Sequence, residues 1–335
     1  MSHTHENRDD KVSLVEMGPR DDKVSLVEMG PRDGLQNEAA TLSLAQRLAF
    51  IARLAESGLQ RIEVGAFVSP KKVPQMADSA ALFNALPRRG PTRYGALVPN
   101  LQGLQAAIAA RADEIGLFTA CSDGFTRANI GISVEESLVR FAPLVQEARS
   151  LGIKVRGYLS TVIACPFDGP TRPKRVAALA ERLLDLGCHE ISLGDTIGVG
   201  TPGTVAPMLD AVLHEIPAGR LAVHFHDTYG QGLANLLPAL ERGIRTIDCS
   251  VAGLGGCPYA PGASGNVASE EVVYLLHGLG MSTGVDLDQL AATGQWVSEL
   301  LGRPNGSRVG QALHGRGRRL AQEREQRTPG GHHAS

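Results

Sequence analysis

Two histidines stand two residues apart in the strand-like run LAVHFH (221–226), immediately before an aspartate, HFHD (224–227). Residues i and i+2 of a strand point to one face, so His224 and His226 can reach one metal ion. An HxH pair alone is weak grounds for a metal, because such pairs also sit in cores and on surfaces. A carboxylate at another strand end strengthens it. Asp33, in GPRDG (30–34), would complete a two-histidine, one-carboxylate face with open positions. The amide oxygen of Asn266 could add a fourth, weaker ligand. The share of oxygen suits Mg²⁺ or Mn²⁺ better than a structural zinc site, with Zn²⁺ and Co²⁺ as further candidates.

Other reactive side chains fall at strand ends too, each with a plainer role open to it. Arg32, beside Asp33, is suited to stabilise a developing oxyanion, or could brace a rim by pairing with Glu63 or Asp195. Glu63 could be a buried hydrogen-bond acceptor, and Asp195 could cap the turn before the helix at 201–215. Cys257 lies between glycines and Pro258. It could be an inert loop thiol, or an acid or base carried on a mobile loop. GVGTPG (198–203) lacks the GK[ST] of a phosphate loop, and GASG (262–265) is not a nucleophile elbow.

Something must bring these scattered positions together. From residue 24 onward, eight β-branched runs alternate with amphipathic stretches: 24–29, 61–65, 93–98, 113–118, 154–160, 189–194, 221–226 and 245–251. Between them, Leu44, Leu48, Ile51 and Ala55 recur at helical spacing. SVEE (133–136) has the form of a capping box, and Thr201-Pro202 is a fair N-cap and N1 pair. Eight such units over roughly 250 residues predict a (β/α)8 barrel with parallel inner strands, whose site lies at the C-terminal ends of the strands. A doubly wound sheet is the alternative, weakened by the absence of a GxGxxG loop after the first strand. The organisation expected is an N-terminal extension at 1–23, a catalytic barrel at 24–300, and an Arg/Gly-rich flexible tail at 301–335.

Composition narrows the function. The 335-residue chain is 43% apolar with a net charge of −2, enough for a large core and without a basic signature for nucleic acid. No apolar run is long enough to span a membrane. Five cysteines without a CxxC pair point to free thiols in a reducing compartment. With no targeting signal at the polar, acidic start, the expected location is cytoplasmic.

Residues 8–21 are identical to residues 20–33. The chain therefore offers two Arg-Asp pairs, Arg20/Asp21 and Arg32/Asp33. Only the second is followed by glycine, Gly34, then LQNE and a helix at ordinary spacing. Using the first would leave a twelve-residue insert in the first βα loop, longer than usual. The expectation is that 24–29 form the first strand and Arg32/Asp33 do the chemistry.

Five motifs, GPRDGLQNE (30–38), FVSPKKVPQM (67–76), SLGDTIGVGTPG (192–203), HFHDTYGQGLAN (224–235) and GLGGCPYAPGASGN (253–266), closely resemble those of the 3-hydroxy-3-methylglutaryl-CoA lyases, metal-dependent barrel enzymes. The likeness covers about residues 24–290. It implies cleavage of that acyl-CoA to acetoacetate and acetyl-CoA by a homodimer. Asp33, His224, His226 and Asn266 would be metal ligands, Arg32 the catalytic arginine, Glu63 and Asp195 acidic site residues, and Cys257 the loop cysteine. His224 or Asp195 is the candidate base. Ala39, Ala66, Asp123 and Asp168 depart from the family's frequent Lys, Ser, Glu and Glu. This leaves a relative acting on a longer 3-hydroxy-3-alkylglutaryl-CoA, a condensing synthase of the same barrel group, or an inactive scaffold as alternatives.

Overall fold

The computed structural model describes residues 22–88, 90–257 and 260–327. Eight parallel strands close into a barrel in chain order: β1 (Ser25–Glu28), β2 (Arg61–Ala66), β3 (Arg93–Leu97), β4 (Glu114–Ala120), β5 (Lys154–Ser160), β6 (Glu190–Asp195), β7 (Leu221–Phe225) and β8 (Thr246–Cys249), with β1 paired to β8. Each expected run is a strand, and the (β/α)8 barrel is the fold.

Helices α1 (Leu44–Glu56), α2 (Ser79–Ala85), α3 (Leu101–Ala109), α4 (Asp123–Ile130), α5 (Val134–Ser150), α6 (Pro173–Leu186), α7 (Pro202–Leu213) and α8 (Gly232–Glu241) fill the crossovers. Their apolar faces make the main core against the outside of the barrel: Phe50, Ile51 and Leu54 from α1, Val176, Ala180 and Leu183 from α6. The capping box read at Ser133 is formed, with Glu136 N–H donating to Ser133 Oγ at 3.2 Å and Ser133 N–H to Glu136 Oε2 at 2.7 Å. Thr201 and Pro202 open α7 as expected.

Inside the barrel the packing departs from the usual layers of branched apolar side chains. A small apolar cluster of Val27, Met29 and Tyr158 meets a ladder of charges that runs from the half-buried Arg61 and Glu114 to the buried Arg156, Glu190 and Asp248. Arg61 holds Glu114 at 3.1 Å and Glu190 at 2.9 Å, and Arg156 holds Glu190 at 2.7 Å and Asp248 at 2.6 Å. Burial alone would raise these carboxyls, but Arg156 and Arg61 hold Glu190 down at about 2. Desolvated charges persist only when paired in this way.

The chain enters at the barrel floor. Val24 N–H donates to Ser282 O at 2.9 Å, and Arg245 pairs with Asp22 at 3.2 Å. Residues 1–21, which carry the first repeat copy and most of the expected extension, lie outside the described residues.

Three helices follow β8 and fill the ring between α8 and α1: α9 (Ser269–Gly278), α10 (Leu287–Leu301) and α11 (Arg308–Arg327). The flexible tail expected from 301 is thus replaced, up to Arg327, by a capped helix. Ser307 Oγ accepts from Gly310 N–H at 3.0 Å, and Glu271 takes Arg308 N–H at 2.7 Å. The glycines and arginines that suggested a frayed tail stand among good helix formers, behind a serine N-cap.

Candidate active site

The wide helical turn Gly30–Gly34 leaves β1 with Pro31 in its first positions and closes with Gly34 N–H on Met29 O at 3.1 Å. It presents Arg32 and Asp33 across the mouth of the barrel. Gly34 is required there by close approach: a Cβ would lie 2.8 Å from Leu254 Cβ and 3.1 Å from Ser250 Oγ. From two strands round the barrel come His224, near the end of β7, and His226, just beyond it. Ligand atoms of Asp33, His224 and His226 lie within 4.8 Å of one another.

Asn266 closes the group. Its backbone bridges His226 and its Nδ2 donates to Asp33 Oδ2 at 2.8 Å and to Leu254 O at 3.1 Å. Gly255, at φ +97°, makes room, since a Cβ there would lie 2.8 Å from Asn266 Nδ2.

The electrostatics suit a cation. Burial pushes the Asp33 carboxyl up, but Arg32, His224, the Asn266 hydrogen bond and His226 outweigh it and hold it at about 2. Burial and neighbouring His224 push His226 down to about 4, so its imidazole is neutral, the ligating form. His226 Nδ1 is buried with no hydrogen-bond partner. An orphaned buried acceptor beside an ionised carboxylate and a second imidazole fits a divalent ion.

Arg32 is fixed from three sides. Its Nε pairs with Glu63, its Nη1 donates to Asp33 Oδ1 at 2.7 Å, and its guanidinium lies 5.9 Å from the Tyr158 ring centroid. Tyr158 Oη donates to the other Glu63 oxygen. Burial raises the Glu63 pKa against Arg32 and Tyr158. Glu63 therefore aims Arg32 instead of facing the cavity.

Asp195 ends β6 at full burial; its Oδ2 accepts Gly200 N–H from the following loop at 2.7 Å, while its Oδ1 is buried without a hydrogen-bond partner. Burial pushes it up to about 6 against the amides of Gly200, Val199 and Gly198. The bracing contact open to it in the sequence is formed through that one oxygen. Cys257 lies on the short strand Gly256–Cys257, which pairs with Ala260–Ser264, but its side chain is outside what is described. Asp123 and Asp168 brace loops, accepting Val134 N–H at 2.9 Å and Gly124 N–H at 2.8 Å. Ala66 is buried in β2.

A cavity of about 730 Å³ opens over this group. Arg32, Asp33, His224 and His226 form its floor, Phe118, Phe125 and Phe141 an apolar wall, and Lys72 and Arg140 supply positive charge. Tyr158, Arg156, Ser192 and Asp248 are the side chains near the site that motif reading missed. Their signal was a polar residue inside an otherwise apolar strand.

With this geometry in place, residues 23–297 match the HMGL-like family. The chain belongs to that family. It is 52% identical over 307 residues to a 3-hydroxy-3-isohexenylglutaryl-CoA/hydroxymethylglutaryl-CoA lyase of Pseudomonas aeruginosa, covering 92% of this chain and 98% of that protein. It is 52% identical over 305 residues to a mitochondrial hydroxymethylglutaryl-CoA lyase of Arabidopsis thaliana, covering 91% of this chain but spanning only 63% of that protein's length. The crystal structure of hydroxymethylglutaryl-CoA lyase from Pseudomonas aeruginosa superposes with a TM-score of 0.86 at 51% identity, over 88% of this chain and 98% of that one. The barrel and the connections that carry the site are thus shared with the family. Among the described residues no helix is long and apolar enough to cross a membrane.

Proposed function

We propose that this chain cleaves 3-hydroxy-3-methylglutaryl-CoA to acetoacetate and acetyl-CoA, as a divalent-metal-dependent carbon–carbon lyase. The observation that carries the reading is the Asp33, His224 and His226 triad set beside a buried, aimed Arg32 at the mouth of the barrel. Asp33, His224 and His226, with Asn266 beside them, would hold the cation, and Mg²⁺ or Mn²⁺ suits the oxygen share. Such an ion lowers the pKa of a bound hydroxyl and steadies a neighbouring carboxylate.

The chain's own groups do the rest. The proton on the substrate's C3 hydroxyl passes to a base of the site, the C2–C3 bond breaks, and its electron pair moves into the thioester as an enolate. Arg32, kept charged by Glu63 and Asp33 despite its burial, stabilises the enolate oxygen. Protonation at C2 then gives acetyl-CoA. Lys72 and Arg140 at the cavity suit the phosphates of an acyl-CoA. Cys257 keeps the role of loop cysteine that the resemblance implies.

A cytoplasmic location fits the four buried free cysteines, Cys121, Cys165, Cys188 and Cys249. For a homodimer, the exposed Leu237 on α8 and Tyr274 on α9 are apolar side chains that a partner would cover. A second reading, action on a longer 3-hydroxy-3-alkyl substrate, is favoured by the aromatic wall of Phe118, Phe125 and Phe141 and by the double name of the Pseudomonas relative.

The test is an acetyl-CoA release assay on purified protein with Mg²⁺ or Mn²⁺ and with a chelator. Release that needs the metal is expected. Folded, metal-supplied protein that releases no acetyl-CoA from either the methyl or the longer substrate would overturn the assignment.

A further inference from the structure

The buried ladder inside the barrel ends on a metal-triad residue, which the proposed chemistry does not explain. Asp248 sits on β8, fully buried and directed into the barrel interior. Its Oδ1 accepts from Arg156 Nη2 at 2.6 Å. Its Oδ2 accepts from Arg156 Nη1 at 2.9 Å and from Ser192 Oγ at 2.7 Å. The same Oδ2 lies 3.2 Å from His224 Nδ1. An Arg156 guanidinium held bidentate, plus a hydroxyl, leaves Asp248 as an acceptor only. His224 must then donate through Nδ1–H, and its lone pair resides on Nε2, at the other end of the ring.

We propose that Asp248 is a positioning residue for the metal centre: clamped by Arg156 and Ser192, it fixes the tautomer and ring orientation of His224 so that Nε2 faces the cation. Metal-bound histidines generally donate their second ring nitrogen to a carboxylate or carbonyl, and removal of that partner lowers metal affinity about 10–100-fold. The clamp is anchored through Arg156 to Glu190 and through Glu190 to Arg61 on the far side of the barrel. The ladder therefore holds one triad histidine against rotation from within the barrel. One consequence concerns the candidate bases. With Nδ1 committed to Asp248 and Nε2 to the cation, His224 has no lone pair for the substrate's proton, so its place is in the ligand set.

The inference rests on Asp33, His224 and His226 being the metal triad. The test is Mn²⁺ binding to metal-free protein, read by the free-Mn²⁺ signal in electron paramagnetic resonance, for wild type, Asp248→Asn and Ser192→Ala. The dissociation constant should rise about 10–100-fold in Asp248→Asn. It should rise less in Ser192→Ala, which removes one of the two clamps on Asp248 but leaves the Arg156–Asp248–His224 chain intact. Because Asp248→Asn leaves Arg156 short of an acceptor and can fail to fold, ¹⁵N-histidine spectra of wild-type protein provide a second readout, with His224 expected to be protonated on Nδ1. Wild-type-like Mn²⁺ affinity in folded Asp248→Asn, or a wild-type His224 protonated on Nε2, would overturn the positioning role while leaving the lyase reading standing. Absence of Mn²⁺ binding in wild type would overturn both.

Discussion

The duplicated segment gives the sharpest test of which residues work. Residues 8–21 repeat 20–33 without change, so a register in which the first copy supplies β1 would reproduce the strand, the turn after it and the Arg-Asp pair. It would also reproduce the floor contacts, with Asp10, Lys11 and Val12 in the places of Asp22, Lys23 and Val24. The two registers part only at Gly34. In the alternative, Asp22 takes that place, where a Cβ would meet Leu254 Cβ at 2.8 Å. Lys23 would replace Leu35, which is 4% exposed, and Leu26 would replace Glu38, breaking its ion pair with Arg303. Overpacking costs about 1–3 kcal/mol and loss of a buried leucine about 1.5–3 kcal/mol. Together these disfavour the alternative by roughly 3–6 kcal/mol, or at about 1.4 kcal/mol per decade some 10²–10⁴-fold.

Asp33→Ala should therefore retain at most about 1% of wild-type acetyl-CoA release, that being the ceiling on molecules rethreaded to use Asp21. Asp21→Ala should be indistinguishable from wild type, and adding it to Asp33→Ala should remove any residue of activity. Deleting residues 9–20 gives the same protein as deleting 21–32, because the copies are identical. That single-copy chain should match the full-length kcat. Substantial activity in Asp33→Ala, or a loss in Asp21→Ala, would refute the steric argument at Gly34 and make the first copy the strand in use.

Two further perturbations probe the frame around the site. Glu270 accepts Ala252 N–H with both oxygens, at 3.0 and 2.9 Å, and steadies Ala252 at a left-handed φ of +56°. Burial pushes its carboxyl up to about 8, above its ordinary value in the unfolded chain, so the folded protein binds the extra proton. That contribution is complete at acid pH and is lost as pH rises from about 5 through 8, with a ceiling of a few kcal/mol at about 1.4 kcal/mol per pKa unit. Glu28, pushed by burial up to about 7, adds in the same direction. Melting temperature should fall over this range, and Glu270→Gln should flatten the fall; an unaltered slope would contradict the assignment. Gly255→Ala places a methyl 2.8 Å from Asn266 Nδ2 at a φ of +97°, and should lower stability by about 1–3 kcal/mol and weaken Mn²⁺ binding in the same titration. Unchanged Mn²⁺ affinity would mean that Asn266 does not help hold the cation.

The grouping of Asp33, His224 and His226 was legible because it follows from strand parity: His224 and His226 share a face whatever the barrel does around them, and Asp33 follows β1, two strands round the barrel. Asp195 shows the limit of that logic. A strand end places a carboxylate at the mouth, but the loop at 196–200 supplies an amide that holds one of its oxygens, and loop amides leave no mark in residue spacing. Helix α11 was hidden for a different reason: its start depends on Glu271, thirty-seven residues earlier, reaching Arg308 N–H. The ionic ladder was visible in part. Arg61 and Glu63, Arg156 and Tyr158, Glu190 and Ser192, and the two histidines are all polar pairs at alternate positions in strands. In a closed barrel alternate residues face inward, so each pair predicts a polar interior. Which acid meets which base is decided by the stagger of strands far apart in the chain, as when Arg156 meets Asp248 ninety-two residues away. Parity alone would mark Arg61, Arg156 and Glu190 as inward-facing, and barrel closure sets Asp248 beside His224.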